Sequence, residues 1–178
     1  MEFFEPPPPR DEPIPAQPEW ARPGVESLGA LVPWRLVLAE NARVRVLLAR
    51  AIAHATGVEL TVEIRFAETP DHRVFHRMSH ARNPLHDDFL RFGVELSDGR
   101  KLTNVYERPD DAILMRTSGG GGDKTFTWNY WLWPLPPAGT LTFVCEWPGF
   151  DIELTRTGVD AQEALDAARR ARLLWTDA

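Results

Sequence analysis

The 178-residue sequence contains a single cysteine, Cys145. One thiol cannot close an internal disulfide, so the fold must be held by packing, and the cysteine count carries no sign of an oxidising compartment. Lysine is scarce too. Lys101 and Lys124 are the only lysines among 20 basic residues, set against 26 acidic ones, for a formal net charge of −6. A surface with that balance repels phosphates, which argues against nucleic acid as a partner. No run of 18 apolar residues occurs, so no membrane-spanning helix is expected. The opening Met1-Glu2-Phe3-Phe4-Glu5 runs straight into Pro6 to Pro9. It offers no basic segment followed by an apolar one, so no secretory signal is expected and the cytoplasm is the expected compartment.

What is present divides unevenly along the chain. Residues 1–33 hold nine of the 16 prolines, together with Glu2, Glu5, Asp11, Glu12 and Glu19. Proline fixes φ and removes a backbone donor, and this stretch has few apolar groups to bury, so a disordered acidic arm is expected over 1–33. A single domain is expected over 34–178, a length able to bury a substantial core.

Within that domain the pattern has period two. Residues 43–55 set Val44, Val46, Leu48 and Ile52 on one side, and after Thr56-Gly57 the run Val58, Leu60, Val62, Ile64, Phe66 alternates with polar residues. The two read as a β-hairpin. Leu90 to Leu96 and Arg100 to Val105 flank Ser97-Asp98-Gly99, whose Asp-Gly pair suits a tight turn. Ile113 to Arg116 is a short apolar run that Gly119 to Gly122 are expected to end in a flexible loop. Thr125 to Trp133 puts Phe126, Trp128, Tyr130 and Leu132 on one face and Trp131 and Trp133 on the other. Leu141, Phe143, Cys145 and Trp147 form the next inward row, and Ile152 to Thr157 comes after it. About nine short strands joined by turns imply a mostly β fold, an antiparallel sandwich of immunoglobulin-like type or a barrel. Asp160 and Glu163 have capping-box spacing, and Ala161, Ala164, Leu165, Ala168 and Trp175 share one helical face. A C-terminal helix over 160–175 is expected to cover a sheet edge or end.

The stretch from Tyr130 to Gly139, continued by Leu141 to Pro148, contains the pattern WLWPLPPxG…FVCEWP. It resembles a family of small uncharacterised bacterial proteins, as do Phe92 to Lys101 and the Val46–Arg65 hairpin. The resemblance covers most of 34–175 and implies a β-sandwich. It brings no activity and no catalytic residue with it.

Candidate sites are few. His72, His76, His80 and His86 lie close together and are followed by Asp87 and Asp88. On a helix starting after Pro70-Asp71, a spacing of four puts His76 and His80 on one face, as in a two-histidine metal clamp, with His86 or Asp87 a third ligand. A divalent ion such as zinc, and with it a metal-dependent hydrolase, is the chemistry these residues could support. His72 and His80 are about 12 Å apart along such a helix and cannot share one ion. The opposite face would carry Val74, Phe75, Met78 and Ala81. Trp131 and Trp133, about 7 Å apart on one strand face, could stack on a carbohydrate or small ligand, grip a proline-rich peptide, or meet a protein partner. Gly119 to Gly122 precede Asp123-Lys124-Thr125, but a phosphate loop needs Gly before the Lys and a helix after it. Cys145 is in phase with the apolar row and reads as a small core residue. Asp87-Asp88 and Asp110-Asp111 read as turn formers. With no complete reaction motif, the expected function is a non-enzymatic interaction module that binds a protein partner or forms a homo-oligomer.

Overall fold

In the computed structural model the described residues are 18, 20–21, 27–80, 86–105 and 111–175, with the side chains of His72, His76, Ser79 and His80 outside that description. Twelve strands and two α-helices lie among them: β1 (Ser27–Leu28), β2 (Ala30–Val32), β3 (Leu36–Glu40), β4 (Val44–Ala53), β5 (Val58–Phe66), α1 (His72–His80), β6 (Arg91–Glu95), β7 (Lys101–Thr103), β8 (Ile113–Gly122), β9 (Thr125–Trp133), β10 (Thr140–Trp147), β11 (Ile152–Asp160), α2 (Gln162–Ala168) and β12 (Arg172–Leu173). The eight strands from β4 to β11 match the stretches read from alternation and turns, whereas β3 matches none, and neither do three others, β1, β2 and β12. Those last three are only two or three residues long, too short to leave a period.

Pairing is antiparallel throughout, and the sheets are open rather than closed into a barrel. One sheet runs β2-β4-β5-β9-β8 with β3 also on β4; a second runs β11-β10-β6-β7; β1 and β12 form a separate two-stranded ribbon. Val62 and Ile64 of β5, Trp128 and Tyr130 of β9, Phe92 of β6 and Phe143 of β10 belong to one continuous core. The rings of Phe92 and Tyr130 meet 5.0 Å apart, and those of Phe66 and Trp147 6.0 Å apart, across the two sheets. The molecule is thus a β-sandwich, with the aromatic rows as its filling.

Three local departures from simple alternation matter. The register of β4 on β5 jumps between Leu48 and Arg50, so Ala49 is an extra residue. A bulge of this kind reverses the phase of the residues after it. Ala51 and Ala53 are therefore buried, while Ile52, expected inside from its spacing, is only half-buried. The second departure is the glycine run, which is no loop: Gly119 to Gly122 are the last residues of β8 and pair with Trp128 to Thr125 of β9. A Cβ on Gly119 would sit 2.6 Å from Trp128 Cδ1, and one on Gly121 2.2 Å from the Thr125 carbonyl oxygen. The strand needs glycine there because β9 leans over it. The third departure is the helix, which ends at Ala168 and not near 175. Asp160 Oδ1 does accept the Gln162 amide at 2.9 Å, but Glu163 accepts the indole N–H of buried Trp34 at 2.7 Å instead of closing a capping box. Ala161, Ala164 and Ala167 are fully buried, and α2 packs against β2 and β4 at one edge of the larger sheet. Trp175 lies beyond the helix and is exposed.

The expected disordered arm falls mainly outside the described residues. Its last part does not: β2 pairs with β4 and β1 with β12, so strand pairing is already present at Ser27, before residue 34.

Candidate functional site

The outer face of the larger sheet is polar along most of its length, because β5 and β9 set Thr61 opposite Asn129, Glu63 opposite Thr127 and Arg65 opposite Thr125. At one end the pattern breaks. Glu59 faces Trp131, and Met115 of β8 flanks the same indole from the other side. Trp131 alternates with the core residues Tyr130 and Leu132 and takes no part in the core, yet it is fully buried. Three neighbours account for this. His54 packs edge-on against the ring with centroids 5.9 Å apart. Gly57 lies so close that a Cβ there would be 2.6 Å from Cζ2. The Trp20 carbonyl accepts the indole N–H at 2.8 Å.

His54 is the one buried polar side chain among the described residues. Its Nδ1 is 3.1 Å from Ser27 Oγ, and its Nε2 is 3.2 Å from Glu59 Oε1 at an angle that falls short of a hydrogen bond. With Ser27 donating to Nδ1, Nε2 carries the proton and turns it toward the Glu59 carboxylate. Hydroxyl, imidazole and carboxylate therefore stand in the order of a nucleophile-activating relay. Ser27, however, sits on the short ribbon strand β1, and its bond to His54 is also what pins the ribbon to the sheet. Two grooves are described, and neither is lined by these residues. One of 370 Å³ lies between Phe66, Val74 and Phe150, and one of 310 Å³ lies over Gly93 on the outer face of the smaller sheet. Sequence reasoning misses His54. The signal that could have found it is its position just before the Thr56-Gly57 turn, with Glu59 just after, which puts the two side chains across one tight hairpin.

No family model, curated protein or solved structure matches the chain. Its chemistry is therefore read from the geometry of its own residues.

The stacking platform expected of Trp131 and Trp133 is not open in the folded chain. Trp131 is fully buried and Trp133 is half-buried, so the pair does not present two open rings side by side. α1 forms where the histidine spacing predicts it, with Asp71 Oδ1 accepting the Arg73 amide at 2.8 Å and Met78 buried. Of the proposed metal ligands, the side chains of His76 and His80 lie outside the described residues. His86 is mostly exposed, and its Nδ1 accepts the Asp88 amide at 3.2 Å. Among the described residues no three His, Cys, Asp or Glu side chains converge on one point.

Cys145 is buried, and burial, helped by the Glu146 charge, pushes its thiol up to about 12. It stays a neutral core group at physiological pH. Asp87 and Asp88 are the central residues of the turn that the Phe89 amide closes on the His86 carbonyl at 3.0 Å, as expected of them, and their own carbonyls accept the Gly149 amide at 2.9 Å and the Trp147 indole at 3.0 Å. Asp111 lies 3.4 Å from Arg100, and Asp110 is outside the described residues. No helix among the described residues is long and apolar enough to cross a membrane.

A different feature stands out on the surface. Leu28 of β1, Leu31 of β2, and Leu173 and Trp175 at and beyond β12 are 56%, 67%, 67% and 73% exposed, and Leu174 is nearly half exposed. Leu28 is paired with Arg172, and Arg170 reaches the Leu31 carbonyl, so these segments are neighbours. Large apolar groups gathered at one end of a molecule mark a contact surface.

Proposed function

We propose that the chain is a cytoplasmic, non-enzymatic interaction module that associates with a second copy of itself through the apolar end formed by β1, β2 and the segment after α2. The observation that carries this reading is the joint exposure of Leu28, Leu31, Leu173 and Trp175. Each is a side chain that burial would stabilise by about 1.5–3 kcal/mol. The pairs Ser27 with Leu173 and Leu28 with Arg172 send leucines to both faces of the ribbon, so side-chain packing, not extension of a two-residue strand, would make the contact. Charge supports a like partner. Glu163 and Asp166 precede Arg169, Arg170 and Arg172 within one short stretch, so a two-fold arrangement can set the basic end of each copy against the acidic part of the other.

Sedimentation velocity over a micromolar concentration series tests this. The expected result is a concentration-dependent dimer that the double substitution Leu31→Asp, Leu173→Asp converts to monomer, with a melting temperature equal to that of the wild type at concentrations where the wild type is itself monomeric, because both positions are exposed. A wild-type chain that stays monomeric across the series would overturn it.

A further inference from the structure

The environment of Trp131 carries an inference that does not depend on self-association. We propose that the cleft around this indole is a peptide-binding site, occupied by the turn at Pro18–Ala21 of the chain's own arm. The ligand class it takes is a proline-flanked peptide that presents a backbone carbonyl.

Burial here needs the arm. Trp131 lies on the outer face, away from the continuous core, and among its described neighbours the Trp20 carbonyl is the group that meets its polar edge. An indole N–H is a donor only, and when buried it must find an acceptor. A main-chain carbonyl supplies one whatever the side chain, which is how extended peptides are commonly held.

Gly57 on one side and the His54 edge on the other fix the ring and leave its N–H side facing the arm. His54 is itself held by Ser27 and Glu59, so the wall of the cleft is rigid.

The Ala21 amide donates to the Pro18 carbonyl at 2.8 Å, closing a turn with Trp20 inside it. In sequence this turn is bounded by Pro15, Pro18 and Pro23, which restrict the chain before it docks and lower the entropy lost on docking. Pro18, Trp20 and Ala21 join no strand ladder among the described residues, so they are held as a docked segment and not as part of a sheet. They act as a ligand on a short tether, present at high effective concentration. The same cleft can accept an equivalent segment from elsewhere when the tethered one leaves.

The test uses the full chain labelled with 5-fluorotryptophan, at a concentration below any dimerisation, with the Trp131 fluorine resonance assigned from Trp131→Phe. In the double variant Trp20→Ala, Ala21→Pro, which lacks the ring and the amide that closes the turn, the Trp131 resonance should move toward a solvent-exposed position. A synthetic peptide of residues 14–24 should then return it saturably, and the same peptide with both substitutions should not. The labelled peptide should bind Trp131→Phe at least tenfold more weakly than it binds the arm variant. A second measurement covers a variant that folds poorly. In Trp131→Phe, amide exchange at Ala21 should speed up at least tenfold while Tyr130 is unchanged. A shielded Trp131 in the arm variant, no peptide binding up to millimolar concentration, or unchanged exchange at Ala21 would overturn the proposal.

Discussion

Gly120 and Gly121 are adjacent in one strand, and alanine at the two positions should have opposite effects. A Cβ on Gly121 would lie 2.2 Å from the Thr125 carbonyl oxygen and 2.6 Å from Phe126 Cα, both of them backbone atoms of β9. Neither can swing aside as a side-chain tip can, so the hairpin must open locally. Overpacking of this kind costs about 1–3 kcal/mol. A Cβ on Gly120 meets nothing within 4 Å, and its φ is not in the left-handed region. Gly120→Ala should therefore stabilise by about 0.4–1 kcal/mol, by removing freedom from the unfolded chain. The two variants should differ by about 1.5–4 kcal/mol, which for a chain of this length is on the order of 10 °C in melting temperature. Urea unfolding followed by tryptophan fluorescence would measure the difference directly. If the glycines formed a mobile loop, both substitutions would give the same small gain. Midpoints agreeing to within about 0.5 kcal/mol would therefore refute the strand assignment and the close approach of β9.

Two further predictions concern the core. Cys145 should resist a thiol reagent in the native state and react at once in denaturant. Its folded pKa is pushed up to about 12 from a reference of 9.0, so its contribution to stability is complete below pH 9 and lost as pH rises toward 12, because the unfolded thiol ionises first. Tyr130 is raised by burial in the same direction, so alkaline unfolding should be steeper for the wild type than for Cys145→Ala, as judged by circular dichroism against pH. Trp34→Phe and Glu163→Ala should show a coupling of about 1.5–3 kcal/mol in a double-mutant cycle, since one hydrogen bond to a carboxylate joins them. A coupling below about 0.5 kcal/mol would mean that α2 is held by its alanines alone.

The sequence made the sandwich legible because burial on one face leaves a period of two, and β5, β9 and β10 keep it without interruption. It failed where a single residue or a tertiary contact overrides that period. Ala49 shifts the phase of β4, and no local feature of the sequence marks the shift. Gly119 to Gly122 read as a loop because glycine has low strand propensity, whereas Trp128 and the β9 backbone impose the requirement for it. Trp131 shows its face correctly from its position, but part of its cover comes from Trp20, more than a hundred positions away, which no spacing can reveal. Glu163 stands at the expected helix end with an unexpected partner, Trp34, for the same reason. The exposed ribbon leaves no mark because strands of two residues have no period, and its leucines look like ordinary core residues until their neighbours are known.

The spare residue in β4 bears on how this chain can change over time. Leu48 pairs with Val62 and Arg50 with Thr61, and those two partners are themselves adjacent. Excising Ala49 would therefore close the ladder without a gap, and Ala51 and Ala53 would still point inward. The strand would give up its local bend but keep its sense of inside and outside. Excising Glu63 would be another matter, because β5 runs in unbroken register with β9 from Val58 to Arg65. A missing residue there turns part of the buried row toward water. One codon is thus dispensable at position 49 and indispensable at 63. Melting temperatures of the two deletion variants would show the contrast, and equal losses would count against it.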